Sequence, residues 1–455
     1  MRFISTRGGD SATFSEALFK GLAGDGGLFV PETLPDVSPF LARWRTLPYP
    51  AMVAEFLALF ATDMPPAALL AAAKNAYACF PVPDSPVPLV SLNNAVSVAE
   101  LFHGPTLAFK DFALQLLGQL YASDGRAVNI LGATSGDTGS AAIHGMLAVP
   151  GAHCFILYPE GGVAELQERQ IACTGSQWVH PISIRGSFDD AQAIVKTIFG
   201  DSAFAAANAL AAVNSINIAR ILAQCVYYMD IVLKTGANED NAVEVVVPTG
   251  NFGNVLAGWM LSKMGIRGLR FCVASNANAV VSTFFQTGIY RIGTVTPSLA
   301  PSMDIQQASN FERWLWWHFN ADPARVRTAM SDLRNGGTLT LTQNGAPPDP
   351  AIRAVSCDDA GIRAQIGRVW RETGYCVDPH TACAFSAFRE NHAAAAVVLA
   401  TAHPAKFPKT IEAVTGKRPT HPSLEALLDR PLERETLPAN ADAVKASIAR
   451  ALSRR

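Results

Sequence analysis

The stretch AVEVVVPTGNFGNVLAGWM, residues 242–260, joins a continuous apolar segment to a glycine-containing turn and the beginning of a helix. Residues 242–247 predict a β-strand that is buried on both faces, because apolar side chains occupy almost every position rather than alternate ones. Residues 253–264 predict a helix that follows after only a short turn. A buried strand that runs directly into a helix is typical of an α/β protein with parallel sheets.

The same alternation of buried strand and helix extends on both sides of this stretch. The sequence predicts further strands at residues 128–131, 153–158, 178–184 and 269–274. It predicts further helices at residues 140–148, 164–173, 189–199 and 216–233. The apolar run at residues 393–400 predicts a buried strand or helix, and residues 343–358 predict a surface loop. In parallel sheets the ligand lies beyond the carboxyl ends of the strands, so the loops after them are the places to search.

Residues 1–82 predict a separate, mainly helical unit that ends in a proline-rich connector at residues 81–88. Thr13 begins one helix, and Glu16 is placed to complete a capping box with it. Alanine- and leucine-rich segments predict two more helices, at residues 51–61 and 67–77. With 455 residues, the chain is long enough for about two or three domains.

The overall composition limits the classes of function. Hydrophobic residues make up 49% of the chain and charged residues 16%, which favours large cores and argues against disorder. The net charge of −2 offers no basic surface for nucleic acid. No apolar run is long enough for a membrane span, and the N-terminal residues lack the apolar core of a signal peptide. We therefore expect a cytoplasmic protein whose eight cysteines are reduced and have no metal-site spacing.

The turn PTGNFGN, residues 248–254, is a candidate phosphate-binding site. Its glycines let the backbone approach an anion, and the helix that begins there offers unpaired N–H groups and the positive end of its dipole. The residues that would surround the anion are Gly250, Asn251, Phe252, Gly253 and Asn254. The turn matches neither the Walker nor the dinucleotide-binding fingerprint, and an ordinary tight strand-to-helix turn would have the same composition.

Two more polar loops precede helices. The loop GATSGDTGS, residues 132–140, contains Thr134, Ser135, Asp137 and Thr138. Hydroxyls and free N–H groups at a helix start would hold a carboxylate, although an ordinary capped helix needs only one such residue. The loop VNSINIAR, residues 213–220, contains Asn214, Ser215 and Arg220. This combination suits a second phosphate, and a capping residue followed by a solvated arginine is the alternative.

Lys110 is the only lysine in LFHGPTLAFKDFALQ, residues 101–115, and its neighbours are mostly apolar. Apolar surroundings disfavour the ammonium and lower the pKa of a lysine, which leaves an amine able to form a Schiff base with an aldehyde. The alternative is a helix lysine whose ammonium reaches solvent.

Thr381, at the start of a late helix, offers a neutral hydroxyl to a ring nitrogen, but alone it indicates only a helix start.

Taken in order, these motifs resemble those of the threonine synthases of the longer bacterial and fungal form. The matching segments are LFHGPTLAFKDFALQ, GATSGDTGSAA, VNSINIARI, PTGNFGN, SNFER at residues 309–313, DPHTA at residues 378–382 and ATAHPAKFP at residues 400–408. The N-terminal segments ISTRGG and FSEALFKGLAGDGGLFVPE also match, so the likeness covers almost the whole chain.

The resemblance implies a particular architecture and cofactor. Pyridoxal phosphate would lie between two doubly wound parallel-sheet domains of the tryptophan synthase β type. Residues 90–212 would form the smaller of these α/β domains and residues 213–455 the larger. Residues 1–82 would form the additional, mainly helical N-terminal domain.

The resemblance also implies roles for the candidate residues. Lys110 would carry the cofactor as a Schiff base, residues 250–254 would hold its phosphate, and Thr381 would face its pyridine nitrogen. Asp137 stands where many relatives of this fold have an asparagine near the ring hydroxyl, which leaves its contact open. The substrate carboxylate would meet Thr134, Ser135 and Thr138. The substrate phosphate would meet Asn214, Ser215 and Arg220, together with Thr134.

The reaction implied is the conversion of O-phospho-L-homoserine and water into L-threonine and phosphate, the last step of threonine biosynthesis. A phospho-lyase or dehydratase that forms 2-oxobutyrate would have similar loops. Arg220 argues against a dehydratase, because serine and threonine carry no phosphate. A silent binding protein would be expected to lack Lys110 or the glycine turn. We expect a small-molecule substrate, no metal, no nucleic-acid or membrane partner, and a monomer or homodimer.

Overall fold

A computed structural model describes residues 1–341, 347–388 and 395–453 of the chain. The N-terminal part is a small antiparallel sheet surrounded by helices. Its strands are β1 (Phe3–Ser5), β2 (Ser11–Ala12) and β3 (Phe29–Pro31), in the order β2-β1-β3. Its helices are α1 (Phe14–Lys20), α2 (Leu41–Trp44), α3 (Tyr49–Ala58) and α4 (Pro66–Tyr77). The predicted capping box of Thr13 and Glu16 is confirmed at the start of α1, and α3 and α4 confirm the two alanine-rich helices.

The rest of the chain alternates strands and helices. The strands are β4 (Leu89–Ser91), β5 (Val96–Glu100), β6 (Asn129–Ala133), β7 (Cys154–Pro159), β8 (Val179–Arg185), β9 (Leu210–Ala211), β10 (Val243–Pro248), β11 (Leu269–Ser275), β12 (Ile289–Arg291), β13 (Thr338–Thr340), β14 (Ile352–Ser356), β15 (Ala396–Ala400) and β16 (Glu435–Pro438). The helices are α5 (Lys110–Asp124), α6 (Asp137–Met146), α7 (Glu165–Ala172), α8 (Phe188–Gly200), α9 (Ser202–Ala207), α10 (Ile218–Thr235), α11 (Gly253–Lys263), α12 (Val280–Thr287), α13 (Phe311–His318), α14 (Pro323–Arg334), α15 (Asp359–Thr373), α16 (Pro379–Phe385), α17 (Pro408–Thr415), α18 (Pro422–Glu425) and α19 (Ala441–Leu452). Short 3₁₀ turns occur at Ser38–Phe40, Pro301–Met303 and Pro404–Lys406.

These strands form two main sheets. The larger has the order β14-β11-β10-β15-β5-β4 and is parallel except for β4, which runs antiparallel to β5. The smaller has the order β16-β8-β7-β6-β9 and is parallel throughout. Strands β6, β7 and β10 are buried at every residue, as predicted for sheets that helices cover on both faces. The predicted α/β class with parallel sheets is confirmed.

The two sheets divide the chain differently from the predicted boundary between residues 212 and 213. β5 falls in the predicted smaller domain, residues 90–212, but it pairs with β15 in the larger sheet. β16 falls in the predicted larger domain, residues 213–455, but it pairs with β8 in the smaller sheet. Pairing between strands so distant in sequence leaves no local pattern, so the alternation of strands and helices does not reveal it.

One predicted loop contains a strand. Residues 343–358 were expected at the surface as a loop, but β14 lies within this range and pairs in parallel with β11; residues 342–346 lie outside the described part. β14 is an edge strand with mixed burial, so it lacks the continuous apolar run of the central strands. The apolar run at residues 393–400 forms β15, apart from residues 393 and 394, which also lie outside the described part.

The N-terminal part is joined to the rest of the chain by buried polar contacts. The Asn217 side chain donates a hydrogen bond to the carbonyl oxygen of Leu18 at 2.8 Å. Arg313, which is fully buried, donates from Nε to the carbonyl oxygen of Phe29 at 2.9 Å and from Nη2 to that of Ile216. The N-terminal part therefore contacts the segment that leads directly into α10.

The residues that the structure describes contain neither a membrane-spanning helix nor a metal cluster. No helix within the described ranges has both the length and the apolar composition needed to cross a membrane. Among the same residues, no group of three or more histidine, cysteine, aspartate or glutamate side chains is arranged to hold a metal ion. The eight cysteines are free thiols, most of them buried.

Candidate active site

The carboxyl ends of strands from both main sheets face one cleft of about 640 Å³. Lys110 follows β5, Asp137 follows β6 and Arg220 follows β9, each in the first turn of a helix. The glycine turn, residues 249–254, follows β10, and Thr401 follows β15. These residues meet because loops after parallel strands emerge at the same edge of a sheet. The reactive and charged side chains therefore meet at the edge of the sheets where the sequence predicts the ligand site.

Lys110 is buried, and it lines the cleft. Its Nζ lies 3.3 Å from Oδ2 of Asp137 and 5.4 Å from the centre of the Phe109 ring. Burial lowers the pKa of the Lys110 amine, Asp137 opposes this shift, and Lys406 reinforces it. This lysine therefore loses its proton more readily than a lysine at the surface, which is the property that the sequence predicts for it.

Asp137 is shared between two lysines. Its Oδ1 lies 2.8 Å from Nζ of Lys406, and its Oδ2 lies 3.3 Å from Nζ of Lys110. It also accepts hydrogen bonds from Gln167 Nε2 at 2.8 Å and from Ser302 Oγ at 3.2 Å. Burial alone would raise the pKa of this carboxyl group, but Lys406 and then Lys110 hold it well below its usual range. Asp137 is therefore a buried anion.

The glycine turn presents backbone N–H groups at the N-terminus of α11. Phe252 has a φ of 63°, in the left-handed region, and turns the chain into the helix. In the described part of the chain, the N–H groups of Gly250, Asn251 and Phe252 find no acceptor. A Cβ atom at Gly250 would lie 3.0 Å from the carbonyl oxygen of Ser302, so the turn has little room for a side chain there. The turn is thus free to bind an anion through its backbone.

Arg220 is a buried cation for which the described residues provide no carboxylate partner. Its Nη1 donates to the carbonyl oxygen of Val213 at 2.7 Å, whereas its Nε has no partner. Burial lowers the pKa of the guanidinium to about 10. Gln224 Oε1 and Asn254 Nδ2 are also buried without partners, and both residues line the cleft. Because unpaired buried polar groups are costly, the two donors, Arg220 Nε and Asn254 Nδ2, suit an anionic ligand, whereas the acceptor Gln224 Oε1 needs a ligand group that donates a hydrogen bond.

Ser215 links the loop before α10 to the glycine turn. Its Oγ lies 3.1 Å from Oγ of Ser309, which in turn donates to Oδ1 of Asn251 at 3.3 Å. The side chain of Asn310 donates to the carbonyl oxygen of Ser215 at 3.0 Å. The SNFER segment, residues 309–313, therefore holds the loop before α10 and the glycine turn against each other.

Some of the residues predicted to bind the substrate line the cleft, whereas others do not. Thr138, Ser215 and Arg220 line the cleft. Thr134 does not: its buried hydroxyl accepts hydrogen bonds from two N–H groups of its own loop, at 3.0 and 2.9 Å, and so maintains the shape of that loop. Ser135 and Asn214 are half-buried and are not part of the lining. Contact of these residues with the substrate stays a prediction.

Thr381 is fully buried and does not line the cleft. Its hydroxyl donates to Asp378 and accepts from the N–H group of Thr401 at 3.2 Å. The neighbouring His380 does line the cleft, with Nδ1 2.8 Å from Asp378 and Nε2 accepting from the N–H group of Ser302 at 3.2 Å. The contact of Thr381 with a pyridine nitrogen also stays a prediction, since its hydroxyl already has a partner on each side.

Several side chains in or beside the cleft have no role that the sequence motifs predict. These residues are Gln224, Ser302, His380, Thr401 and Lys406. The sequence does contain a signal for Lys406, because this lysine lies in ATAHPAKFP, one of the segments that carry the resemblance to the family. The segment of Ser302 reaches the site only through tertiary packing, which has no pattern in the local sequence.

A second, more open cleft of about 1000 Å³ lies elsewhere on the molecule. Its carboxylate, Glu100, is already bonded to His103 and Tyr375, each at 2.7 Å. Neither Lys110 nor the glycine turn takes part in its lining. The candidate active site is therefore the first cleft.

The residues of the first cleft fit pyridoxal phosphate. Binding of this cofactor requires a lysine amine that loses its proton readily and several hydrogen-bond donors for the phosphate group. Lys110 provides the buried amine, and the unpaired N–H groups of the glycine turn provide the donors. The Nε–H group of Arg220, which has no partner among the described residues, then remains available for a second anion.

Comparison with known proteins identifies the class to which this fold and site belong. The family model described as "Pyridoxal-phosphate dependent enzyme" matches residues 85–401, a range that includes Lys110, Arg220 and the glycine turn. The chain is a pyridoxal-phosphate dependent enzyme, and the predicted cofactor is confirmed.

The two ends of the chain and its relatives define the family within this class. The models "Threonine synthase N terminus" and "Threonine synthase, C-terminal" match residues 2–77 and 381–448. The chain is 41% identical to a threonine synthase of Pseudomonas aeruginosa over 452 residues, which are 97% of this chain and 96% of that one. Solved threonine synthases are also similar: the pyridoxal-phosphate-bound structure from Brucella melitensis (TM-score 0.91, 38% identity, 99% of both chains) and the yeast structure (TM-score 0.88, 32% identity, 100% of this chain and 99% of that one). The chain belongs to the threonine synthase family, as its motifs predict.

Proposed function

We propose that this protein converts O-phospho-L-homoserine and water into L-threonine and phosphate. The observation that carries the proposal is the presence, in one cleft, of a buried amine and two separate groups of anion donors. The glycine turn suits the phosphate of the cofactor, which leaves Arg220 for a second phosphate. A phosphorylated amino acid is the substrate class that needs both, and membership of the threonine synthase family supports this choice.

The cofactor and the chain contribute different chemistry. When bound, pyridoxal phosphate supplies an aldehyde for the substrate amine and a ring that withdraws electrons from the substrate carbon next to it. The residues of the chain hold the substrate, move its protons and stabilise the charge that develops on its phosphate.

Lys110 moves protons at Cα and Cβ of the substrate. Removal of a proton requires a neutral amine, and burial favours this form by lowering the pKa of Lys110. Once the amine has taken up a proton, Asp137 stabilises the ammonium from a distance of 3.3 Å. The ammonium can return a proton at Cα after water has added at Cβ. The overall conversion also removes one proton from Cβ and adds one at Cγ.

Arg220 and the N-terminus of α10 hold the substrate phosphate. The open Nε of Arg220 donates to a phosphate oxygen, and the positive charge stabilises the negative charge that grows as the carbon–oxygen bond breaks. Thr138 holds the substrate carboxylate, and Ser215 adds a hydroxyl at the phosphate. The released phosphate, still held by Arg220, helps to remove a proton from the water that adds at Cβ.

An assay of the purified protein with O-phospho-L-homoserine tests the proposed function. Phosphate and threonine are measured in parallel, and we expect them in equal amounts. Lys110→Ala is the matched variant and should release neither. Release of phosphate with 2-oxobutyrate in place of threonine would make the protein a phospho-lyase, and no release of phosphate would contradict the proposal.

We further propose that the enzyme acts in the cytoplasm as a monomer or a homodimer. The near-neutral net charge of −2 and the absence of a basic surface pattern support a small-molecule substrate rather than nucleic acid. Light scattering coupled to gel filtration measures the mass of the assembly. A mass above twice that of the 48.4 kDa chain would contradict the expectation.

A further inference from the structure

Lys406 is a buried lysine for which the proposed reaction has no role. Its Nζ lies 2.8 Å from Oδ1 of Asp137 and 2.8 Å from the carbonyl oxygen of Thr106. Its side chain is 0% exposed, and it does not line the cleft. Removing a lysine from water altogether is costly unless ionised partners compensate. Asp137 is the carboxylate in contact with Lys406, and the buried carboxyl group of Asp111 also interacts with its charge.

Asp137 cannot neutralise both lysines, because it carries a single negative charge. Lys406 makes the closer contact with it, at 2.8 Å against 3.3 Å for Lys110. Lys406 also has a second acceptor in Thr106, whereas Asp137 is the sole hydrogen-bond acceptor of Lys110 among the residues that the structure describes. The ammonium form is therefore better stabilised on Lys406, and Lys110 is the lysine that gives up its proton.

The two cations near Lys110, Lys406 and Arg220, both disfavour a proton on its amine. Burial lowers the pKa of the Lys110 amine, Asp137 raises it, and Lys406 and Arg220 lower it again. His380 adds to the two lysines in stabilising the ionised form of Asp137. The positive charge of Lys406 thus has two effects: it occupies the carboxylate, and it repels a proton from the neighbouring amine.

We propose that Lys406 is a positioning residue that acts as the counter-ion of Asp137 and so leaves Lys110 free to be the neutral amine that binds pyridoxal phosphate. The inference rests on the proposed function, which assigns the Schiff base to Lys110. In that step the nitrogen of Lys110 attacks the aldehyde carbon, a carbon–nitrogen bond forms, and the aldehyde oxygen leaves as water. A protonated Lys110 has no electron pair for this attack.

The pH dependence of Schiff-base formation tests this role. The full-length protein is freed of cofactor and mixed with pyridoxal phosphate over a range from about pH 6 to about pH 10, and the rate is followed by visible absorbance. In the wild type, the rate follows the fraction of neutral Lys110. Lys406→Met leaves Lys110 as the closest ammonium to Asp137, so the pH midpoint of the rate should rise by about one unit or more, a tenfold loss of rate at low pH. Lys406→Arg retains the charge and should stay within about 0.3 unit of the wild type.

Two further variants keep the result interpretable. Lys406→Gln keeps a hydrogen-bond donor for Thr106 and is used if circular dichroism shows that Lys406→Met does not fold; it should raise the midpoint in the same way. In an Asp137→Asn background, the same change at Lys406 should raise the midpoint by less than it does in the wild type, because only the direct repulsion between Lys406 and Lys110 is then left to remove.

The outcomes separate this inference from the proposed function. If the folded Lys406→Met or Lys406→Gln variant has the midpoint of the wild type, the inference is overturned and Lys406 is a structural ion-pair partner only. If Lys110→Ala still forms the Schiff base, the role of Lys110 in the proposed function fails instead, because another lysine then carries the cofactor.

Discussion

At the scale of single residues, the site is defined by buried ionisable side chains. Lys110, Lys406 and Arg220 are buried basic side chains in or beside the cleft, and Asp137 is the carboxylate that both lysines contact. Buried carboxylates also lie beside these groups: Asp111 interacts with Lys406, and Asp378 contacts His380. Arg220 has no carboxylate partner among the described residues, so it is the cation that most favours an anionic ligand in the cleft.

Arg220→Ala should impair use of the substrate and leave the cofactor in place. The lost contact is a hydrogen bond from a charged group, worth about 1.5–3 kcal/mol, which corresponds to a roughly 10- to 150-fold fall in kcat/KM for O-phospho-L-homoserine. The fall should appear in KM and in kcat, because the same charge assists the departure of phosphate. Arg267→Ala, at an exposed arginine far from the cleft, is the control and should have wild-type kinetics. Unchanged kinetics for Arg220→Ala would place the substrate phosphate elsewhere.

The place of a residue in the site can be predicted from the sequence when the residues that position it are its near neighbours in the chain. Lys110, Arg220 and the glycine turn each begin a helix soon after a strand, so the sequence alone places them at one edge of a sheet. Lys406 is different, because its partner Asp137 is distant in sequence and the two meet only in the folded chain. The local sequence of Lys406, PAKFP, gives no indication of a buried ion pair.

At the scale of elements, the cleft is surrounded by helix N-termini. Helices α5, α6, α10 and α11 all begin there, and their first N–H groups and dipoles add positive potential to that of the buried cations. The strands before them are predictable where they are continuously apolar, as in β10. β14 was predicted as part of a loop, because an edge strand keeps one side open to solvent and therefore mixes polar and apolar residues.

Gly250→Ala should weaken the binding of pyridoxal phosphate. The added Cβ would lie 3.0 Å from the carbonyl oxygen of Ser302 and 3.1 Å from Cα of Met303, so the turn would have to move. We expect the dissociation constant of the cofactor to rise about tenfold or more, which is about 1.4 kcal/mol. The constant is obtained by titrating cofactor-free protein and following visible absorbance.

The control for this substitution is Gly200→Ala, at the end of α8. A Cβ there would have no atom within 4 Å, so the variant should bind the cofactor as the wild type does. Wild-type affinity in the Gly250→Ala variant itself would contradict the assignment of the cofactor phosphate to the glycine turn.

At the scale of the whole molecule, parts of the chain that are distant in sequence complete each other's structure. β5 joins the larger sheet and β16 the smaller, and the N-terminal part contacts the loop before α10 through Arg313. The predicted division at residues 212 and 213 misses the two strand exchanges, since the pattern of strands and helices is the same whichever sheet a strand joins. The site between the sheets thus depends on the whole chain.

Arg313→Met should destabilise the protein and weaken binding of the substrate. The buried guanidinium donates to the carbonyl oxygens of Phe29 and Ile216 and to the side chain of Asn310. A methionine leaves these three acceptors without this donor, at a cost of about 1–3 kcal/mol each, so we expect Tm to fall by about 3–9 °C. Calorimetry measures Tm, and KM for O-phospho-L-homoserine should rise because the loop of Ser215 loses its support.

Arg363→Met provides the comparison for that variant. Arg363 is exposed on α15, so its replacement should change neither Tm nor KM beyond experimental error. If Arg313→Met behaved in the same way, the contact between the N-terminal part and the loop before α10 would contribute nothing to the site.

The central claim is that Lys110 carries pyridoxal phosphate in the cleft between the two sheets. Borohydride reduction of the enzyme with its cofactor makes the link permanent, and mass spectrometry of the peptides then locates it. We predict a pyridoxyl group on Lys110, within the peptide that contains residues 101–115, and none on Lys406. A pyridoxyl group on any other lysine, or on no lysine at all, would contradict the account.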